Sequence, residues 1–172
     1  MPVLKGEGFV LRPYREGDEE ALSRAANNPA IARNMVSTFP SPYTLKDAEM
    51  WIASCLVAPE GETRLAVDID GAVHGGIGIY PRPLWSPYTF EMGYWLAESQ
   101  WGRGLMTKAV ALVIAHAFDR LSAERVQSFV YDWNPGSRRV LEKNGFQAEG
   151  RLRRAVHKDG RFGDCWAYGR LR

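Results

Sequence analysis

The sequence predicts an α+β domain in three layers, built on a mixed, mostly antiparallel twisted sheet of about seven strands with about four helices. Three observations carry that prediction. The hydrophobic period shifts from helical spacing early in the chain to alternation from Thr63 onward, then back to helical spacing over Arg103 to Phe118. Asp70-Gly71, set between two β-rich runs, is a tight hairpin signal. The elements follow as strand, two helices, three strands, helix, strand, helix and two strands, with no linker, repeat or low-complexity segment between them.

Phe9-Val10-Leu11 opens the first strand and Pro13 ends it. Asp18 is placed to cap a helix that runs to about Asn27, where Asn27-Asn28-Pro29 stops it. Pro40 and Pro42 bracket a loop, and Thr44, with Asp47 three residues on, starts the second helix with a near capping box. Thr63 to Asp70 and Ala72 to Tyr80 form the hairpin, and a turn holding Pro81, Pro83 and Pro87 leads to a third strand, Thr89 to Ala97. Arg103 to Phe118 puts Leu105, Ala109, Leu112, Val113 and His116 on one side and is largely apolar on the other, which predicts a central, covered helix. A strand at Arg125 to Tyr131 precedes a helix from Pro135 to Asn144, with proline at its first position and Gly145 just past its end. Phe146 to Arg153 and Phe162 to Leu171 close the sheet around Asp159-Gly160.

At 172 residues the chain fits a single domain, 1–172, large enough for a core of its own. Its net charge of +2 gives no general reason to expect a nucleic-acid partner. The charge is uneven, however: from Arg151 onward, Arg151, Arg153, Arg154, Lys158, Arg161, Arg170 and Arg172 face only Asp159 and Asp164. That surface could attract an acidic ligand or peptide. No apolar run near Met1 resembles a signal peptide, and Ala109 to Phe118 is too short to span a bilayer. Cys55 and Cys165 lack metal-ligand spacing, so no metal is expected, and two buried thiols suit a cytoplasmic protein.

Chemistry concentrates in two segments. Trp101-Gly102-Arg103-Gly104-Leu105-Met106 lies between a strand and the long helix, where two glycines let the backbone approach a ligand and the helix turns its free N–H groups toward it. Such a turn suits a pyrophosphate, with Arg103 adding a cation; alone, it is equally well a turn without a ligand. Thr107 stands where a dinucleotide fingerprint needs its third glycine, and Lys108 does not complete a P-loop. The second segment is Asn134-Pro135-Gly136-Ser137, followed by Glu142-Lys143-Asn144-Gly145-Phe146. Asn134 offers a donor and an acceptor and Ser137 a hydroxyl, although each also fits a helix start.

With Glu91-Met92-Gly93-Tyr94-Trp95-Leu96, Phe39-Pro40-Ser41-Pro42-Tyr43 and Leu11-Arg12-Pro13, these segments give the chain a close resemblance to the GCN5-related N-acetyltransferase (GNAT) superfamily, and to its branch of ribosomal-protein N-terminal acetyltransferases. The motifs are individually weak but occur in family order along nearly the whole chain. One departure is Ser99, where the family often has Gln or Arg ahead of the phosphate turn; backbone amides carry most of that binding.

The resemblance implies a splayed cleft between the strands Thr89–Ala97 and Arg125–Tyr131, holding acetyl-CoA as co-substrate. It implies binding by Leu96, Trp101, Gly102, Arg103, Gly104, Leu105, Met106, Asn134, Ser137 and Lys143. A bulge near Leu96 would free its N–H for the thioester oxygen as the tetrahedral intermediate forms. Glu91 is the candidate base, through a water, against the plainer role of a salt-bridging strand residue. The helix Pro135 to Asn144 lacks the Tyr that many members use on the leaving thiolate, so Ser137 takes that role, with Tyr131 as fallback. Trp85 and Tyr88 could line an acceptor pocket, while Phe90, Tyr94 and Trp95 read as strand packing. Arg138 and Arg139 could reach the 3′-phosphate of CoA or simply form an exposed helix face. His116 reads as a hydrogen-bonded core residue.

An α-amino acceptor, with a pKa of about 8, needs less help than a lysine at above about 10, which favours a protein N-terminus. A small amine such as an aminoglycoside, a polyamine or an amino acid is the second reading, and a non-catalytic acyl-CoA-binding module the third. An open groove favours a peptide and a closed acidic pocket a polyamine. No membrane or nucleic-acid partner is expected, and a homodimer is an allowed assembly.

Overall fold

The computed structural model describes residues 1–82, 84 and 86–172, so Pro83 and Trp85, placed by sequence in a turn and an acceptor pocket, lie outside the described residues. The chain runs β1 (Leu4–Gly6), β2 (Phe9–Pro13), α1 (Glu19–Ala26), α2 (Pro29–Ala32), α3 (Leu45–Leu56), β3 (Thr63–Ile69), β4 (Ala72–Pro81), β5 (Thr89–Leu96), a 3₁₀ turn (Glu98–Gln100), α4 (Leu105–Arg120), β6 (Arg125–Tyr131), α5 (Pro135–Lys143), β7 (Gln147–Lys158) and β8 (Arg161–Leu171). One sheet has the order β1-β2-β3-β4-β5-β6-β8-β7, antiparallel except between β5 and β6. α4 and the Leu141 side of α5 bury one face; α1 and α3 cover the other around Tyr14, Ile52 and Cys55. This is the α+β architecture expected from sequence, with β1 and the short α2 in addition.

Local chemistry explains most boundaries. Thr44 Oγ1 accepts the N–H of Asp47 at 3.3 Å while the Asp47 carboxylate accepts the N–H of Thr44 at 2.8 Å, a complete capping box on α3. Thr44→Ala is expected to lower stability by about 1 kcal/mol, read as a shifted urea midpoint at unchanged m-value. α5 starts on Pro135 and ends in a Schellman motif, with Gly145 N–H on the Glu142 carbonyl and Phe146 N–H on that of Leu141. Much of the Glu142-to-Phe146 motif therefore docks a helix end. Glu142 accepts from the Tyr168 hydroxyl at 2.9 Å, and Asn144 donates to the Thr107 carbonyl at 3.1 Å, fixing α5 to the first turn of α4.

Two expectations are corrected. Asp18 precedes α1 but does not cap it, because its carboxylate is committed to Arg12. Asn28 does not merely stop α1: its side chain accepts the N–H of Ala30 at 2.8 Å and starts α2. Both cysteines are buried and unpaired, and burial raises both thiol pKa values, in line with packed apolar groups. His116 is half-buried, burial lowers its pKa, and among the described residues its ring makes no hydrogen bond, unlike the bonded core histidine expected.

Candidate active-site cleft

β5 and β6 pair only from Thr89↔Arg125 to Glu91↔Gln127. Beyond that point each strand keeps its outer neighbour: β5 pairs with β4 as far as Leu96, and β6 pairs with β8 as far as Tyr131. The gap between them is therefore held open by two intact ladders. At its vertex the Ser128 hydroxyl donates to the Met92 carbonyl at 2.9 Å, a side chain replacing the next ladder bond.

The bulge expected near Leu96 is absent, since β5 and β4 stay in unbroken register from Gly75↔Leu96 to Pro81↔Phe90. No bulge is needed there. Arg82 and Ala97 donate their N–H groups across this ladder to Thr89 and His74, so the odd residues of β5 face β4 and the even residues turn their backbone groups to β6. The N–H of Leu96 thus points into the gap by parity alone. The irregularity sits one strand over, where Val67↔Gly75 is followed by Asp68↔Val73 and His74 is left unopposed.

β5 ends in the glycine turn. The Trp101 indole donates to the Leu96 carbonyl at 2.7 Å, fastening the turn to the strand end. Gly102 and Gly104 have φ of 76° and 73°, conformations that disfavour other residues, and a Cβ at either would meet nothing within 4 Å. The space above both is therefore open. Among the described residues no side chain caps α4, which leaves the N–H groups of Leu105 and Met106 at the head of this 16-residue helix available to an anion. Arg103 bonds to the Gln100 side chain beside them. Lys143, in the last turn of α5, is brought toward this end by the Asn144–Thr107 bond and lines a cavity of about 590 Å³ with Arg170.

Across the gap, the Asn134 side-chain oxygen accepts the Ser137 N–H at 3.1 Å, which caps α5 and leaves the amide nitrogen for a ligand. Ser137 Oγ lies 2.8 Å from the Tyr94 hydroxyl, which also donates to the Ser137 carbonyl at 3.2 Å. Tyr94, read from sequence as strand packing, thus joins both walls of the cleft. Burial raises its pKa above the usual phenol value, so it stays protonated. Period-two parity held the missed signal: Tyr94 shares a face with Phe90, Met92 and Leu96, and so faces α5. Tyr131, the fallback hydroxyl, is instead tied to the Met35 carbonyl at 3.3 Å.

Glu91 sits at the vertex but on the opposite sheet face from Tyr94. Its carboxylate accepts from Arg82 at 2.9 Å, and that bond raises the Arg82 pKa. A cavity of about 580 Å³ opens there, lined by Arg82, Thr89, Glu91, Arg125, Gln127 and Phe129. Arg125 pairs in turn with Glu149, lowering the carboxyl pKa of the latter. Tyr88 is exposed and does not line this cavity.

Residues 9–147 match the family model described as an acetyltransferase (GNAT) domain. The chain is 44% identical over 168 residues to the probable N-acetyltransferase YjcK of Bacillus subtilis (strain 168), covering 94% of this chain and 93% of that protein. It is 34% identical over 83 residues to the ribosomal-protein-serine acetyltransferase of Escherichia coli (strain K12), covering 48% and 46%. The crystal structure of RimL, titled a ribosomal L7/L12 α-N-protein acetyltransferase in complex with coenzyme A, superposes with a TM-score of 0.88 at 20% identity, covering 99% of this chain and 98% of that one.

Proposed function

This chain belongs to the GNAT acetyltransferase family, and from that premise we propose that it moves an acetyl group from acetyl-CoA to the N-terminal α-amine of a protein or peptide. The observation that carries the acceptor class is the charge pairing at the cavity beside Glu91, where Glu91 is taken by Arg82 and Arg125 by Glu149, so that its lining offers no uncompensated carboxylate. A polyamine or aminoglycoside brings several positive charges and would find no unpaired carboxylate there to receive them. A peptide N-terminus brings one ammonium group, which loses its proton with a pKa of about 8 and needs little base strength. Arg82 engages Oε2 of Glu91, and the other carboxylate oxygen remains to hold a water beside the incoming amine. The printed names of the E. coli relative and of RimL add support for protein acceptors.

The residues present fit acetyl-CoA. The turn at Gly102–Gly104 and the uncapped start of α4 offer backbone donors to a pyrophosphate, and the unpaired stretch of β5 offers donors and acceptors to pantetheine amides. The Leu96 N–H, held in place by the ladder to β4, is positioned to stabilise a developing oxyanion; loss of a comparable donor costs about 3–4 kcal/mol in other enzymes. Ser137 meets the departing thiolate. When the single Tyr94 proton is given to Ser137 Oγ rather than to the Ser137 carbonyl, the serine proton is released toward the sulfur.

Free CoA release should separate the acceptors: release with short peptides beginning Ser, Ala or Met, lost when their N-termini are blocked, is the expected result. Release with polyamines or aminoglycosides alone would overturn it. Gly104→Val is expected to weaken acetyl-CoA binding about tenfold or more in calorimetry, because it strains a left-handed residue and fills the open approach.

A further inference from the structure

The β7–β8 hairpin carries a surface that the transfer reaction does not use. β7 is the last strand of the sheet and bonds to β8 on one side only, and residues 147–155 are exposed without a break. Cationic and aromatic side chains alternate beside this edge. The Trp166 ring lies between Arg138 of α5 and Arg151 of β7, at 5.7 and 5.8 Å, and the Arg154 guanidinium stacks over Phe162 at 4.8 Å. Asp164 answers only part of the charge: it takes the Arg151 side chain at 2.7 Å and the Arg154 backbone N–H at 2.7 Å. Among the described residues, Arg138, Arg153 and Arg154 form no ion pair.

Three kinds of occupant can be compared. A second copy added edge to edge would set arginine rows against each other, which is unfavourable. A nucleic-acid backbone would supply acceptors to the arginines but no donors to the strand's free carbonyls. An extended polypeptide satisfies both edge donors and edge acceptors, and carboxylates along it answer the arginines. Register shifts between Ala148 and Gly150 and between Leu152 and Val156, with Arg154 at φ 51°, bend the strand and confine straight pairing to about Gly150–Leu152.

We propose that the free edge of β7 docks an extended acidic segment of a partner protein, by strand addition with its carboxylates on Arg151, Arg153 and Arg154. Docking is separate from the acetyl-transfer chemistry, so an N-terminally blocked peptide serves as the probe. A labelled, blocked peptide alternating Glu and Val is expected to bind in fluorescence anisotropy with micromolar affinity that weakens with salt. The matching Lys–Val peptide should not bind. The double variant R153E/R154E should weaken binding about tenfold or more at unchanged melting temperature and acetyl-CoA affinity. Should that variant misfold, Arg153→Glu alone tests the same point, because the Arg153 side chain makes no hydrogen bond among the described residues. Amide exchange across Gly150–Leu152 should slow when the peptide binds. Unchanged exchange, equal binding to R153E/R154E, or tighter binding of an oligonucleotide of the same charge would each overturn the proposal.

Discussion

Arg12→Ala is expected to cost about 3–5 kcal/mol of folding stability, the largest loss predicted for a single side chain here. Arg12 is 9% exposed, and its guanidinium reaches two carboxylates. It grips Asp18 through both terminal nitrogens, at 2.7 and 2.8 Å, and donates from Nε to Asp68 at 2.6 Å. The carboxylates have second tasks: Asp18 accepts the Arg15 N–H at 3.0 Å, and Asp68 accepts the Gly71 N–H at 2.8 Å inside the β3–β4 turn. The three residues thus join β2, the approach to α1 and the first hairpin. Removing the arginine leaves two buried negative charges facing each other, which accounts for the size of the effect. Arg12→Lys should recover only part of the loss, because an ammonium cannot form the fork. Arg15→Ala is the control: its side chain is 63% exposed and 3.8 Å from Asp18, so a change within about 0.5 kcal/mol is expected. Urea denaturation decides, and a loss below about 1 kcal/mol for Arg12→Ala would mean that the network adds little.

This network also marks the boundary of what the sequence discloses. Features decided within a few residues were legible: the Asp70-Gly71 hairpin, the Thr44–Asp47 box, the Pro135 start and Gly145 end of α5, and β6 at Arg125–Tyr131. Asp18 read as a cap because Asp before a helix is a local signal, yet its partner Arg12 wins through a forked, charge-assisted contact that no local pattern reports. β1 was missed because three residues carry too little periodicity to be seen. In the cleft, the turn at Gly102 and Gly104 and the helix start at Asn134 and Ser137 were legible from local turn chemistry. The Tyr94–Ser137 bond, 43 residues apart in sequence, depends on how far β5 and β6 diverge, and divergence is a property of two ladders. The same cause relocates the irregularity from Leu96 to His74: whether a strand bulges depends on its partner's register.

Ser137→Ala and Tyr94→Phe should each lower kcat, by about 10²-fold for Ser137→Ala and somewhat less for Tyr94→Phe, with acetyl-CoA affinity within about threefold of the parent. In the proposed mechanism the serine meets the thiolate, so its loss removes the donor. The phenylalanine keeps the ring that packs on the core but removes the proton that frees the serine's own. Because the two act as a unit, the double variant should be little worse than Ser137→Ala, and the cycle should show strong coupling. The pH dependence gives a second readout. Burial holds the Tyr94 proton above the ordinary phenol range near pH 10, so the phenol remains a neutral donor through the working range. The ratio of parent to Tyr94→Phe turnover should therefore stay constant from about pH 7 to pH 10; a ratio that collapses as pH rises would mean that the phenol ionises and that burial does not protect it. Full turnover in Tyr94→Phe beside a crippled Ser137→Ala would return the tyrosine to packing and leave the serine to act alone. A raised acetyl-CoA dissociation constant with normal turnover in Ser137→Ala would move that hydroxyl from leaving-group chemistry to cofactor binding.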